Sequence, residues 1–484
     1  MNIGNWFRII CLSLLSVFVV IAAGCDGQPQ VAVGERHSHS AVSRVESALA
    51  AIELFAEHNI FITVDEKGAL AQAAKLDRQH EQGQVSGPLH GMLIAVKDNI
   101  HIAGVANTAG TPSLKGMIPT VDAEVVARLK AAGAIILGKS NMHELAYGIT
   151  SNNAYLGAVG NITDKEYIAG GSSGGSAVAV AAGITNASLG TDTGGSVRIP
   201  AALNGLVGFR PTIGRYPSDG LTLISQTRDT VGAIARTVGE VSLLDAVLSG
   251  QTLDGQTADL IGLRLGVPKA YFYDNLEPAI AEQMSALLTA LERAGVDLVY
   301  EDIGRVAELN ERVGLPIVLY ETGKLLDAYL KAHLPDVSMA TLVEAVVSPD
   351  VKAIMQSVLR GDITYAIYAD ALNKHRPILQ KAYRDYFNEH HVEAIIFPTT
   401  PLTSRPIKGS IDAVELNGQQ VPTFASYIRN TDPSSNAGVP GLTLPLGKTD
   451  EGFYFGFEID GPENNDLRLL AIAAAIEKLD IGSE

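Results

Sequence analysis

The chain has 484 residues, 46% of them hydrophobic and 18% charged, which supplies ample apolar surface for a large core and excludes a disordered chain. Its formal net charge is −17, and no dense Lys/Arg cluster provides a local basic footprint, which excludes nucleic acid as a partner. Only one run is apolar enough to enter a membrane, at the N-terminus, which excludes a polytopic membrane protein.

Arg8 precedes residues 9–23, fifteen residues without a charge. As a helix they would span about 22 Å, short of the ~30 Å hydrocarbon core, so they predict an export signal rather than a stable span. The run ends in Ala22, Ala23, Gly24 and Cys25. Small residues before a cysteine resemble a bacterial lipobox, with Cys25 becoming the lipidated first residue. Asp26 resembles a signal that retains lipoproteins at the inner membrane. The expectation is a signal peptide over 1–24, a polar tether over 25–44, and an exported bacterial lipoprotein, periplasmic and membrane-anchored only through its lipid. The two cysteines are Cys11 and Cys25. The first leaves with the signal and the second is acylated, so the mature chain has no thiol for a disulfide, for zinc or for nucleophilic attack. His37 and His39 fall in the tether and read as solvated side chains, not metal ligands.

Residues 45–484 read as one domain of alternating helices and strands. Val45, Leu49, Ile52 and Ala56 recur at helical spacing over 42–58. Residues 93–96 are a short apolar run ending at Lys97, the pattern of a buried strand. Residues 122–132 predict an amphipathic helix, with Gly133 as its C-cap and a strand over 134–137. Residues 173–182 are small and apolar, as in a close-packed helix, and 187–190 predict a short strand. The stretch from about 250 to 390 is mostly helical, and 392–397 predict one more strand. The fold class is α/β, with helices on both faces of a sheet.

Two glycine–serine segments hold most of the chemical information: GGSSGGS at 170–176 and GTDTGGSVR at 190–198. Glycines let backbone amides turn inward and approach a ligand closely. A serine at the end of such a loop, opening a helix, faces aligned amide donors. Those donors suit the oxyanion that forms when a serine attacks an acyl carbon.

These residues resemble the amidase signature family over most of 45–450. The resemblance includes Val96, Lys97 and Asp98, both glycine–serine segments, FPTTP at 397–401 and NAGVP at 436–440. It implies one large domain around a mixed sheet and a Ser–Ser–Lys triad. By motif, the nucleophile is Ser196, the bridging serine Ser172 after a cis peptide bond, and the lysine Lys97. The serines lie 24 residues apart, the family's usual interval. Backbone amides of Thr193, Gly194, Gly195 and Ser196 are expected to form the oxyanion hole. Asp192 and Arg198 are expected to hold the loop, and Ser173 and Ser176 to cap or pack the following helix.

The chemistry is coherent on its own terms. Ser196 needs a base, and no histidine sits in these loops. Lys97 can serve only when neutral, which burial at the end of an apolar strand would achieve by disfavouring the ammonium. No cofactor and no metal is required. The expected reaction is hydrolysis of a small-molecule carboxamide to an acid and ammonia or an amine through an acyl-enzyme. HELAYGITSNN at 143–153 resembles the branch that hydrolyses arylacetamides such as mandelamide or indoleacetamide, so the expected substrate is a small aryl or alkyl amide. A C-terminal peptide amidase of the cell envelope, and an inactive binding lipoprotein of the same fold, are the alternatives.

Two other patterns match by letter only. GAIILGKS at 133–140 satisfies G-x-x-x-x-G-K-S, but its four central residues are apolar and strand-like, unsuited to a phosphate loop. GGSSG at 170–174 satisfies G-x-S-x-G, but a poor strand precedes it and no later histidine lies in an obvious catalytic loop.

Overall fold

A run buried on both sides is stable only inside a sheet covered on both faces, and residues 93–97 make such a run. In the computed structural model, which describes residues 40–252 and 257–479, they form a central strand. In chain order the strands are β1 (Phe61–Val64), β2 (Leu93–Lys97), β3 (Ile135–Ser140), β4 (Ala187–Asp192), β5 (Val207–Arg210), β6 (Thr230–Ala235), β7 (Arg264–Gly266), β8 (Asp297–Val299), β9 (Ala394–Pro398), β10 (Ala413–Leu416), β11 (Gln419–Pro422), β12 (Gly441–Lys448) and β13 (Tyr454–Asp460). Eleven join one mixed sheet in the order β1-β3-β2-β4-β6-β5-β12-β13-β9-β7-β8, and β10 pairs with β11 in a separate hairpin.

The alternation of β2 shows how the layers are filled. Ile94 and Val96 face a core shared with Leu244, Leu287 and Ile472, from helices Val238–Ser249, Pro278–Arg293 and Asp466–Ile476. Leu93 and Ala95 face the opposite core with Val45, Leu76 and Val178, from helices Ala41–Leu54, Glu66–Glu81 and Gly174–Ala181. This is the expected α/β arrangement with helices on both sheet faces. Because β2 runs parallel to β4, with Val96 opposite Leu189, the C-terminal ends of the two strands emerge side by side. Lys97 and the Thr191–Asp192 end of the second glycine–serine segment therefore meet.

Several boundaries differ from the sequence reading. The tether was expected to run to residue 44, but the first helix begins at Ala41. Ser40 caps it, and Asp77 takes the amides of Ala41 and Val42 at 2.6 and 3.0 Å, so residues 41–44 belong to the folded body. That helix stops at Leu54, and a single tighter turn, Ala56–His58, ends at Asn59 in the left-handed region. The GAIILGKS segment is largely strand β3, with Lys139 and Ser140 wholly buried. The helical middle carries two short strands, β7 and β8. The predicted signal, Cys25, His37 and His39 lie outside the described residues.

Candidate active site

Lys97 ends β2 and is wholly buried. Its Nζ lies 2.8 Å from Ser172 Oγ, 2.7 Å from Thr191 Oγ1 and 3.2 Å from the Thr191 carbonyl. Desolvation pushes the ammonium down to about 7, against the opposing pull of Asp192 and Asp229. A second buried lysine makes the contrast. Lys139 donates to the Ile100 carbonyl at 2.5 Å and to Asn107 Oδ1 at 2.8 Å, with Asp98 Oδ1 at 3.5 Å. Burial lowers it as well, but Asp98 holds it at about 8. Lys97 makes no ion pair among the described residues; its neighbours are hydroxyl and carbonyl oxygens. A lysine without a counter-ion is the one that burial can neutralise near neutral pH.

Ser172 follows a cis peptide bond from Gly171, as the family resemblance implies. Its carbonyl accepts from the His143 amide at 3.1 Å and from Ser151 Oγ at 3.4 Å. Helix Gly174–Ala181 starts immediately afterwards. Of the two serines expected to cap or pack it, Ser173 stands at the N-cap position but its side chain makes no capping bond. Ser151, from a distant loop, takes the Gly174 amide at 3.0 Å, while Ser173 Oγ donates to the Thr191 carbonyl at 3.3 Å. Ser176 packs inward, donating to the Leu189 carbonyl at 3.0 Å.

The turn bearing Ser196 is built on Asp192. That carboxylate accepts from the amides of Gly195 (2.7 Å) and Val197 (3.1 Å), from Arg198 Nε (3.1 Å) and Nη2 (3.0 Å), and from Arg210 Nη1 (3.0 Å). Burial opposes its ionisation, and the Arg198 and Arg210 guanidiniums overcome that, holding the carboxyl well below its usual range. Arg198 continues to Ser434, Ser435 and Glu458. Asp192 and Arg198 thus hold the loop, as expected. Gly195 has a φ of +135°, and a β-carbon there would stand 2.1 Å from Thr431 Oγ1, so no other residue fits without moving its neighbours.

The expected oxyanion set needs one correction. The Gly195 amide already donates to Asp192 at 2.7 Å, which removes it from the four. The amides of Thr193, Gly194 and Ser196 have no protein acceptor among the described residues. Ser196 is 7% exposed and opens onto a cleft. Among the described residues its hydroxyl makes no hydrogen bond to that of Ser172. The two segments join one residue along, where the Ser173 amide donates to the Ser196 carbonyl at 3.1 Å. Catalytic hydrogen bonds commonly tighten only once substrate is bound.

Thr191 and Asp229 were not singled out from the sequence. Thr191 lies inside the second glycine–serine segment, where nothing distinguished it from its neighbours. Asp229 accepts from Thr193 Oγ1 at 2.6 Å and from the amides of Ile224 and Ser225 at 2.8 and 3.0 Å, so it ties the Ser196 loop to the floor of the cleft. The cleft encloses about 570 Å³ of empty space, its open mouth included. Its walls are mostly apolar, with Tyr147, Ile149, Ile224, Val318, Ile354 and Ile428 inside, and Leu315 and Phe424 at 54% and 38% exposure. The polar exceptions beside Ser196 and Thr193 are Arg228 and Asp432, which pair with each other.

Known proteins match this chain in sequence and in fold. The profile of the family described as Amidase matches residues 43–470. The indoleacetamide hydrolase of Agrobacterium vitis is 43% identical over 92% of this chain and 94% of its own length. The mandelamide hydrolase of Pseudomonas putida is 44% identical over 90% of this chain and 87% of its own. A crystal structure of an amidase superposes with a TM-score of 0.82 at 33% identity, covering 91% of this chain and 97% of that one. The chain belongs to the amidase signature family. It is a serine amide hydrolase, built as one large α/β domain on a mixed sheet.

Proposed function

We propose that Ser196 is the nucleophile, Ser172 the proton relay and Lys97 the base of an acyl-enzyme mechanism. The observation that carries this reading is the 2.8 Å contact between Ser172 Oγ and a buried lysine that has no counter-ion among the described residues. As an ammonium, Lys97 has three hydrogens for three acceptors: Ser172 Oγ, Thr191 Oγ1 and the Thr191 carbonyl. As a neutral amine it keeps two hydrogens for Thr191 and turns its lone pair to the Ser172 hydroxyl. Both protonation states are therefore served without rearrangement.

In acylation the Ser196 proton passes to Ser172 Oγ as the Ser172 proton passes to Lys97 Nζ. Ser196 Oγ bonds to the amide carbon, and the carbonyl oxygen takes the negative charge onto the amides of Thr193, Gly194 and Ser196. Collapse breaks the C–N bond, and the Lys97 proton returns through Ser172 to the departing nitrogen. Water then repeats the sequence on the acyl-enzyme to release the acid. Lowering the lysine from its ordinary 10.5 to about 7 represents about 5 kcal/mol of differential interaction.

The pH profile follows in sign. Only the neutral amine accepts a proton, and its fraction grows as pH rises through about 7. Acylation is expected to rise through an apparent value near there and then level off, a value that belongs to the coupled triad. A rate that falls between pH 6 and 8 in stopped-flow acylation would contradict this assignment.

For substrate, the apolar cleft and the relatives named for indoleacetamide and mandelamide favour a small aryl amide, releasing ammonia. The alternatives, a C-terminal peptide amidase and an inactive binding protein, gain no support from these relatives. A fluorophosphonate tests the assignment directly: label recovered on Ser196, with turnover of primary aryl amides, is the expected result, and an unlabelled protein defeats it.

We also propose that Cys25 is lipidated after removal of residues 1–24, leaving the enzyme on the periplasmic side of a bacterial membrane. The support is the short apolar run ending in Ala22, Ala23, Gly24 and Cys25. Cys25→Ser is expected to move the protein out of the membrane fraction or to block its maturation. Fractionation and maturation identical to the parent would refute the anchor.

A further inference from the structure

Taking Ser196 as the nucleophile, we propose that Thr431 is a positioning residue for the amide hydrolysis. Its hydroxyl and the Asp192 carboxylate pin the Gly194–Gly195 peptide from opposite edges, and the amides on either side of that peptide are thereby aimed at the substrate's carbonyl oxygen.

The turn that carries Ser196 has two glycines in succession, and glycine restricts its own backbone least of all residues. Left to itself such a turn samples many orientations, whereas an oxyanion hole works only when its donors are fixed before the charge develops. The hold must come from outside the two glycines. The peptide group joining them is planar, with its carbonyl and its N–H on opposite sides. The N–H donates to Asp192 Oδ1 at 2.7 Å. The carbonyl accepts from Thr431 Oγ1 at 2.6 Å and from no other donor among the described residues. Two contacts on opposite edges of one plane stop it from turning about its Cα–Cα axis. The amides of Gly194 and Ser196 belong to the two neighbouring peptides, and both are left without a protein acceptor among the described residues.

Thr431 lies 237 residues beyond Gly194 in the chain and is wholly buried. It is itself held. Its carbonyl accepts from Ser434 Oγ and Ser435 Oγ at 3.1 Å each, and those hydroxyls accept from Arg198 Nη1 and Nη2 at 2.9 and 2.7 Å. Arg198 also donates to Asp192 through Nε and Nη2. The two anchors of the glycine peptide are therefore braced against one guanidinium, which closes a ring of contacts around the turn. A hydroxyl is what the position requires. Thr431 Oγ1 also lies 3.2 Å from the Ile428 carbonyl, and a methyl group in its place offers a donor to neither carbonyl.

The test is the rate at which a fluorophosphonate labels Ser196 in the full chain. In that reaction the Ser196 Oγ–P bond forms as the P–F bond breaks. Fluoride leaves, the serine proton passes to the triad, and the phosphoryl oxygen takes up charge in the same hole. Thr431→Val removes the hydroxyl and keeps the shape. It is expected to slow labelling by about tenfold to a hundredfold, less than the loss of an oxyanion donor itself. The kcat for phenylacetamide is expected to fall by a similar factor with KM little changed, and Thr431→Ser is expected to recover most of both. Labelling at the parental rate in a folded Thr431→Val variant overturns the role, as does a folded Thr431→Ser variant that is equally slow. If Thr431→Val does not fold, the crystal structure of the labelled parent decides. The phosphoryl oxygen is expected within hydrogen-bond distance of the Gly194 and Ser196 amides, with Thr431 still on the Gly194 carbonyl. A phosphoryl oxygen turned elsewhere, or a Thr431 hydroxyl released from that carbonyl, overturns the role. These outcomes in a protein labelled on Ser196 remove Thr431 alone, whereas a parent that takes no label removes the nucleophile assignment with it.

Discussion

Lys97→Ala is expected to slow acylation by about four orders of magnitude, the scale seen when a serine hydrolase loses the action of its base. The side chain is wholly buried, so solvent base does not readily replace it. Ser196→Ala is expected to be equally crippled. Ser172→Ala is expected to lose less, because a water in the vacated space can bridge toward Nζ. The losses are not expected to add: Lys97→Ala combined with Ser196→Ala should be no slower than either alone, because the residues act as one unit. Single-turnover kinetics on a chromogenic anilide, with circular dichroism to confirm the fold, measures all of these. Near-normal acylation in a folded Lys97→Ala variant would defeat the triad and return the base to the histidines.

The second large effect is expected at a residue that does not react. Asp192→Asn leaves the Arg198 and Arg210 guanidiniums buried beside a neutral amide. Removing one partner of a buried ionic cluster typically costs about 3–5 kcal/mol. Urea unfolding at pH 7 is expected to show a loss on this scale, with the midpoint moved and the slope little changed. The sign of its pH dependence is fixed by the direction of the Asp192 shift. The carboxyl is held below its ordinary 3.8 in the folded state, so its contribution is present above that value and is lost as pH falls below it. The gap between parent and variant is therefore expected to narrow in acid. Activity falls too, because the carboxylate also holds the Gly195 and Val197 amides that shape the Ser196 turn. A variant as stable as the parent at neutral pH would show that the arginines find other partners.

The groups proposed to react stand out in the sequence because they sit in short segments whose composition has few physical uses. A lysine closing an apolar run, and serines inside glycine-built turns before small-residue helices, pointed to buried chemistry near strand ends, and the family resemblance assigned the roles. The Gly195 amide was misjudged because sequence does not reveal that Asp192, three residues earlier, turns back to take it. Strands β5 and β12 were missed because part of their support is remote: Gly441 of β12 pairs with Arg210 of β5, far earlier in the chain. The cleft walls were illegible for another reason. Val318 and Ile354 line the cleft from helices, where an aliphatic side chain facing a ligand reads the same as one facing a core. Helix Val306–His333 also runs through Pro316, which a sequence reading takes as a break.

The proposed triad comes from residues 97–196, whereas most of the apolar wall comes later, from Ile224, Leu315, Val318, Ile354, Phe424 and Ile428. Heritable change can therefore reach the two parts separately. A single replacement at position 315 or 424, each at the rim and partly open to water, alters what enters without disturbing the buried lysine. A lineage with this plan can acquire a new diet by small steps in its later segments while passing on the same reagent beneath. Directed evolution confined to those rim positions would follow the same route.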